Sequence, residues 1–149
     1  MGTIAGHGLT LATPAGWDAR ITRRVADPGT QTGAVLQAAT FALPAGTADF
    51  GGGAVDLMGA ADVLVVLFEY GPESVGTPLF ATQGMPRRLT EADFSPSTLR
   101  KMLAGQSGCQ RFFTEAGRPF CLYVVLGSHG RRFRSAPLAT TLLRGITVG

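Results

Sequence analysis

Residues 109–127 read CQRFFTEAGRPFCLYVVLG, two apolar runs separated by the turn signal Glu115-Ala116-Gly117-Arg118-Pro119. Runs rich in aromatic and β-branched residues around a short Gly- and Pro-bearing stretch predict a β-hairpin. Side chains alternate along a strand, so Phe120, Leu122, Val124 and Leu126 share one face and Cys121, Tyr123 and Val125 the other. Both faces are apolar, which places this strand inside a sheet covered on two sides. The run DVLVVLFEY at 62–70 has the same character and is expected beside it in the interior.

The hairpin also decides the sulfur chemistry. Cys109 and Cys121 are the only cysteines, and a tight turn sets Cys109 across from Val124 or Leu126. That separation does not meet the geometry of a disulfide, so two free thiols and a reducing compartment are expected.

Working outward, Leu9–Thr13, the alternating WDARITRR of residues 17–24 and Ala34–Leu43 predict an antiparallel meander. Trp17 and Ile21 should point inward, and Asp18, Arg20, Thr22 and Arg24 should face water. Asp27-Pro28-Gly29 marks a turn, and Ala54–Ala60 has room for a helical turn. Gly71–Glu91 is long for a plain connection, which indicates a functional loop or a hidden strand around Leu79-Phe80. Ser95 as N-cap, Pro96 at the first helical position and the stripe Leu99, Met102, Leu103 predict a helix that Gly105 ends. After a basic loop at His129–Arg134, a second helix opens at Pro137, carries Leu138, Thr141 and Leu142 and stops at Gly145. Ile146–Val148 closes the chain as a strand. The fold class is therefore α+β: one domain over 1–149, a mainly antiparallel sheet of six or seven strands with helices packed against it.

Charge is unevenly spread. The net charge of +3 combines three arginines and seven acids (net −4) in residues 1–75 with ten basic residues and three acids (net +7) in 76–149. Strands from both halves in one sheet would let part of this cancel in space. The first seven residues have neither the basic start nor the apolar stretch of a signal peptide, and no apolar run approaches a membrane span. A cytoplasmic setting without a membrane span is expected.

No residue constellation predicts catalysis. His7 and His129 are the only histidines and neither has metal-ligand spacing, so no metal or cofactor is expected. Gly105-Gln106-Ser107-Gly108-Cys109 lacks the second glycine of a nucleophile elbow and follows a predicted helix instead of a strand. A hydrolase pairing Cys109 with His129 needs a thiolate activated by the imidazole, which spacing does not establish. Gly51-Gly52-Gly53 has no phosphate-loop partner residues, and Asp62 and Glu69 fall on opposite faces of their strand. The densest polar signal is Arg131-Arg132-Phe133-Arg134, with Arg87-Arg88 in the other long loop. An overall excess of +3 is too small for a dedicated nucleic-acid binder, so these five arginines are the expected contacts to a protein partner or a second copy of the chain. The alternative is a small-molecule-binding protein or small enzyme with a pocket between the sheet and the 71–91 loop.

The opening strand into PAGW (14–17), the hairpin strand RPFCLYVVLG (118–127) and the closing helix followed by ITV (146–148) resemble the PsbP-like α/β/α sandwich family. The stretch RFFTEAGRPFCLYVVLG (111–127) also resembles actinobacterial sequences. The family likeness implies a non-catalytic accessory or partner-binding role and transfers no functional residue.

Overall fold

The computed structural model describes residues 2–23, 33–45 and 52–149. The turn signal Asp27-Pro28-Gly29, Arg24 and the start of the glycine run at Gly51 lie outside them. Besides five short 3-10 turns, the described residues form eight strands and one α-helix: β1 (Gly2–Gly6), β2 (Leu9–Thr13), β3 (Asp18–Arg23), β4 (Ala34–Ala39), β5 (Val63–Glu69), β6 (Ser107–Glu115), β7 (Arg118–Leu126), α1 (Arg132–Arg144) and β8 (Ile146–Val148). They form a five-stranded antiparallel sheet, ordered β3-β4-β5-β7-β6, and a three-stranded antiparallel sheet, ordered β1-β2-β8.

The hairpin forms as expected, with a two-residue turn. Ala116 and Gly117 both have positive φ, 53° and 74°, the pattern whose twist matches that of the flanking strands. β5 and β7 pair along their length at the centre of the large sheet, and both are buried on both faces. Leu36, Leu67, Phe120, Leu122 and Val124 pack on one face with α1 and with Leu9, Leu11 and Ile146 of the small sheet. Val35, Leu64, Val66, Tyr123 and Val125 pack on the other face against Val55, Leu99 and Leu103. That second layer is built from irregular chain and a short 3-10 turn at Val55–Leu57, which meets the expectation at 54–60.

The first three strands do not form a meander. β3 and β4 pair, but β2 leaves them to pair with β1 and β8. β2 buries Leu9 and Leu11 in the core shared with α1, whereas Trp17, just before β3, and the inward Ala19 and Ile21 of β3 remain half-buried at a sheet edge. Arg20 also departs from expectation: its guanidinium donates to Gln37 Oε1 and to the Pro44 carbonyl.

The long segment after β5 is an edge cover. Phe80, on a 3-10 turn at Pro78–Phe80, packs its ring against Tyr70 and Phe112 on one side of the sheet. The chain then crosses the edge at β6. Thr114 N–H donates to the Thr82 carbonyl (2.8 Å) and Gly84 N–H to the Thr114 carbonyl (2.8 Å). Met85, Leu89 and Phe94 next enter the core on the α1 side. Ser95 and Gly108 exchange backbone hydrogen bonds of 3.0 and 2.9 Å, and Leu99 and Leu103 finish on the first side. The wrap pairs the edge strand at Gly108 and Thr114 and so covers part of an edge that could otherwise recruit another chain.

This wrap is why no helix forms after Ser95. The backbone of Ser95 is committed to Gly108, and Arg100 N–H donates to the Tyr123 hydroxyl (2.7 Å), not to an i−4 carbonyl. Leu99 and Leu103 still face the sheet, but Met102 is 65% exposed. A Cβ at position 108 would collide with the Thr98 carbonyl, so glycine is required where the segment crosses the strand.

The closing helix begins at Arg132, five residues before the expected start, preceded by a 3-10 turn at His129–Arg131. Pro137 lies inside it, and Arg132 and Arg134 are helical instead of belonging to a basic loop. Among the described residues no helix is long and apolar enough to cross a membrane.

Candidate functional site

The structure divides the five expected contact arginines. Arg87 is exposed but committed to the fold: its Nη1 donates to the carbonyls of Leu143 (3.0 Å) and Ile146 (2.6 Å), capping the end of α1, and its Nη2 lies 3.7 Å from Glu115. Arg132 is half-committed, with Nη1 donating to the His129 carbonyl and its guanidinium 5.1 Å from the Phe133 ring. Arg88, Arg131 and Arg134 are exposed, and among the described residues no hydrogen bond or ion pair holds them.

Arg131 and Arg134 stand at the start of α1. A helix N-terminus carries partial positive charge, which acidic side chains or a capping oxygen normally offset. Here the first turn has no acid, and Arg131 at the N-cap supplies no side-chain cap. The outward arc of the helix continues through Phe133, 62% exposed, and Leu138, 41% exposed, to Arg144 in the last turn. Sequence reasoning missed Leu138 as part of this surface because, with the helix begun at Pro137, it was grouped with Thr141 and Leu142. The spacing of Arg134, Leu138 and Thr141 carried the signal.

A second polar centre has a structural task. Arg118 Nε and Nη2 grip the two Glu69 carboxylate oxygens at 2.7 and 2.9 Å. Its remaining N–H groups reach the carbonyls of His7 (2.9 Å), Gly8 (3.2 Å) and Gly149 (3.3 Å). Glu69 Oε1 also accepts from Ala34 N–H. One guanidinium thus ties β5 to the β1–β2 turn and to the end of the chain. Burial alone would raise the Glu69 pKa, but the hydrogen bonds from Arg118 and Ala34 and the charges of Arg118 and Arg23 hold it below its ordinary value of 4.5. Lys101 and Asp56 pair at 2.8 Å across the two halves of the chain, as does this bridge, so part of the charge asymmetry cancels in space.

The thiols behave as core atoms. Cys109 lies opposite Val124 and Cys121 opposite Phe112, on opposite faces of the sheet, and both are free and buried. Burial is the main cause that pushes the Cys109 thiol up to about 11, with Arg111 acting against it. It stays protonated at neutral pH, which denies a Cys–His hydrolase its thiolate. Thiol titration in denaturant without reductant should find two sulfhydryls, and the native protein should react far more slowly. An intramolecular bridge in the peptide map would overturn this assignment. Asp62 is similarly engaged, accepting from the Thr40 hydroxyl and from Gly59 N–H. Among the described residues no cluster of three or more His, Cys, Asp or Glu has the arrangement of a metal site.

No family model matches the chain, and comparison with curated proteins and with solved structures gave no similar protein.

Proposed function

We propose that this chain is a non-catalytic interaction domain that docks an acidic protein surface on the outward side of α1. The observation that carries this reading is the start of that helix, where Arg131 and Arg134 stand exposed on a positively polarised terminus with no acid in the first turn. Phe133 and Leu138 add apolar contact beside them. A partner presenting carboxylates around an apolar spot would relieve the like-charge crowding and cover both side chains. The resemblance to PsbP-like accessory domains supports the same reading, and two unpaired thiols support a reducing, cytoplasmic setting.

Arg131→Glu/Arg134→Glu tests this directly. The double variant should unfold at the same urea concentration as the parent, since exposed charges contribute little to stability. It should associate with the partner isolated on the parent protein at least about tenfold more slowly at low salt. Equal association rates for the two proteins would exclude this surface. Sedimentation of the free chain separates the second-copy case: a dimer lost in the double variant would make the partner another copy of the chain. A nucleic-acid partner would instead show an affinity that falls linearly on a log–log salt plot.

A further inference from the structure

The opposite end of α1 carries a separate cleft of about 360 Å³, between residues 88–91 and the last turns of the helix. Arg88 and Arg144 line it together with Thr90, Glu91, Pro137 and Thr141. We propose that Arg88 and Arg144 form a binding site in this cleft for a phosphate dianion, free or carried as a monoester.

Its frame is fixed from three sides. Leu89 N–H donates to Thr140 Oγ1 (2.9 Å), and that hydroxyl donates back to the Leu89 carbonyl (3.0 Å), locking the segment to the helix. Arg87 on one side is held by the carbonyls of Leu143 and Ile146. On the other side Thr90 N–H donates to Asp93 Oδ2 (2.7 Å) in a reciprocal cap. Arg88 is therefore presented from a rigid stretch, whereas its own guanidinium and that of Arg144 have no hydrogen bond or ion pair among the described residues.

The free donors define the ligand. The hydroxyls of Thr140 and Thr141 already donate to the carbonyls of Leu89 and Pro137, and that of Thr90 to Asp93. Two guanidiniums remain, each a fork of N–H groups with a fixed positive charge. One carboxylate fills one such fork. A phosphoryl group carries three terminal oxygens and close to two negative charges, which matches two forks on one site. The carbonyls at the helix end would oppose an anion, but that of Leu143 is taken by Arg87 and that of Leu142 by Gly145 N–H. Glu91 is the acid in the lining, and it sets a limit on affinity.

Arg134 and Arg144 are ten residues apart, about 15 Å along a helix axis, so this site and the docking surface succeed or fail separately. The experiment is an NMR titration of the arginine Nε–Hε signals at low ionic strength and pH 7.5, with inorganic phosphate, glycerol phosphate and acetate as probes. Saturable shifts at Arg88 and Arg144 with both phosphates, and weaker binding of acetate, are expected. Arg88→Gln and Arg144→Gln should each weaken phosphate binding about tenfold, the loss of one charge-assisted contact, while Glu91→Gln strengthens it. Tighter binding of glycerol phosphate than of inorganic phosphate identifies an organic phosphate as the ligand, and the reverse order identifies the free ion. Linear shifts without saturation, equal binding of acetate, or unchanged affinity in both arginine variants with unchanged melting temperature would overturn the proposal.

Discussion

Arg118→Ala should cost about 2–4 kcal/mol in urea unfolding, somewhat below the loss typical of breaking a fully buried pair because both partners keep some contact with water. The side chains of Arg118 and Glu69 are 20% and 17% exposed. Removing the guanidinium strands a shielded carboxylate and releases the carbonyls of His7, Gly8 and Gly149 together. The small sheet and the end of the chain would lose a shared polar tie to the large sheet, leaving the packing of Leu9, Leu11 and Ile146 to hold them. A loss below about 1 kcal/mol would show that the clasp contributes only solvated charge. The pH profile gives an independent reading. Glu69 is more acidic folded than unfolded, so its contribution is complete above the ordinary value of 4.5 and declines as pH falls below it. The parent protein should therefore lose stability on acidification more steeply than Arg118→Ala, and parallel profiles would contradict the assignment.

Leu122→Ala should cost about 2–5 kcal/mol, the range for deleting a buried leucine where the surroundings relax only in part. Leu122 has no exposed surface, stands opposite Leu67 on one side and Arg111 on the other, and faces the core shared with α1. Because the other sheet face is covered by an independent layer, the strand has little freedom to tilt and fill the void. A loss under about 0.5 kcal/mol would mean that β7 is misplaced.

The contrast between β7 and the 96–104 segment shows where sequence reading succeeds. In β7 the apolar run continues from Phe120 to Leu126 and fills both faces, so only an interior strand accommodates it. The 96–104 stretch has a good cap, a proline and a short stripe, yet these are worth little until the backbone has no better partner. Gly108 and the Tyr123 hydroxyl are such partners, and both are distant enough in the chain to be invisible to a local pattern. The five candidate arginines repeat the lesson. Composition marks them as a basic group, but one caps a helix end, one leans on its neighbours and three have no hydrogen bond or ion pair among the described residues.

By itself, then, the sequence determined the hairpin, the two central strands, the opposite placement of the cysteines and the stop at Gly145, because each depends on side-chain periodicity or turn chemistry within a few residues. The tertiary structure alone decided that β2 joins β8 in a second sheet, that residues 71–106 wrap the edge of β6, and that Arg118 binds both sheets. Those outcomes depend on which distant groups compete for the same hydrogen bonds and the same buried area, and that competition exists only once the chain has folded.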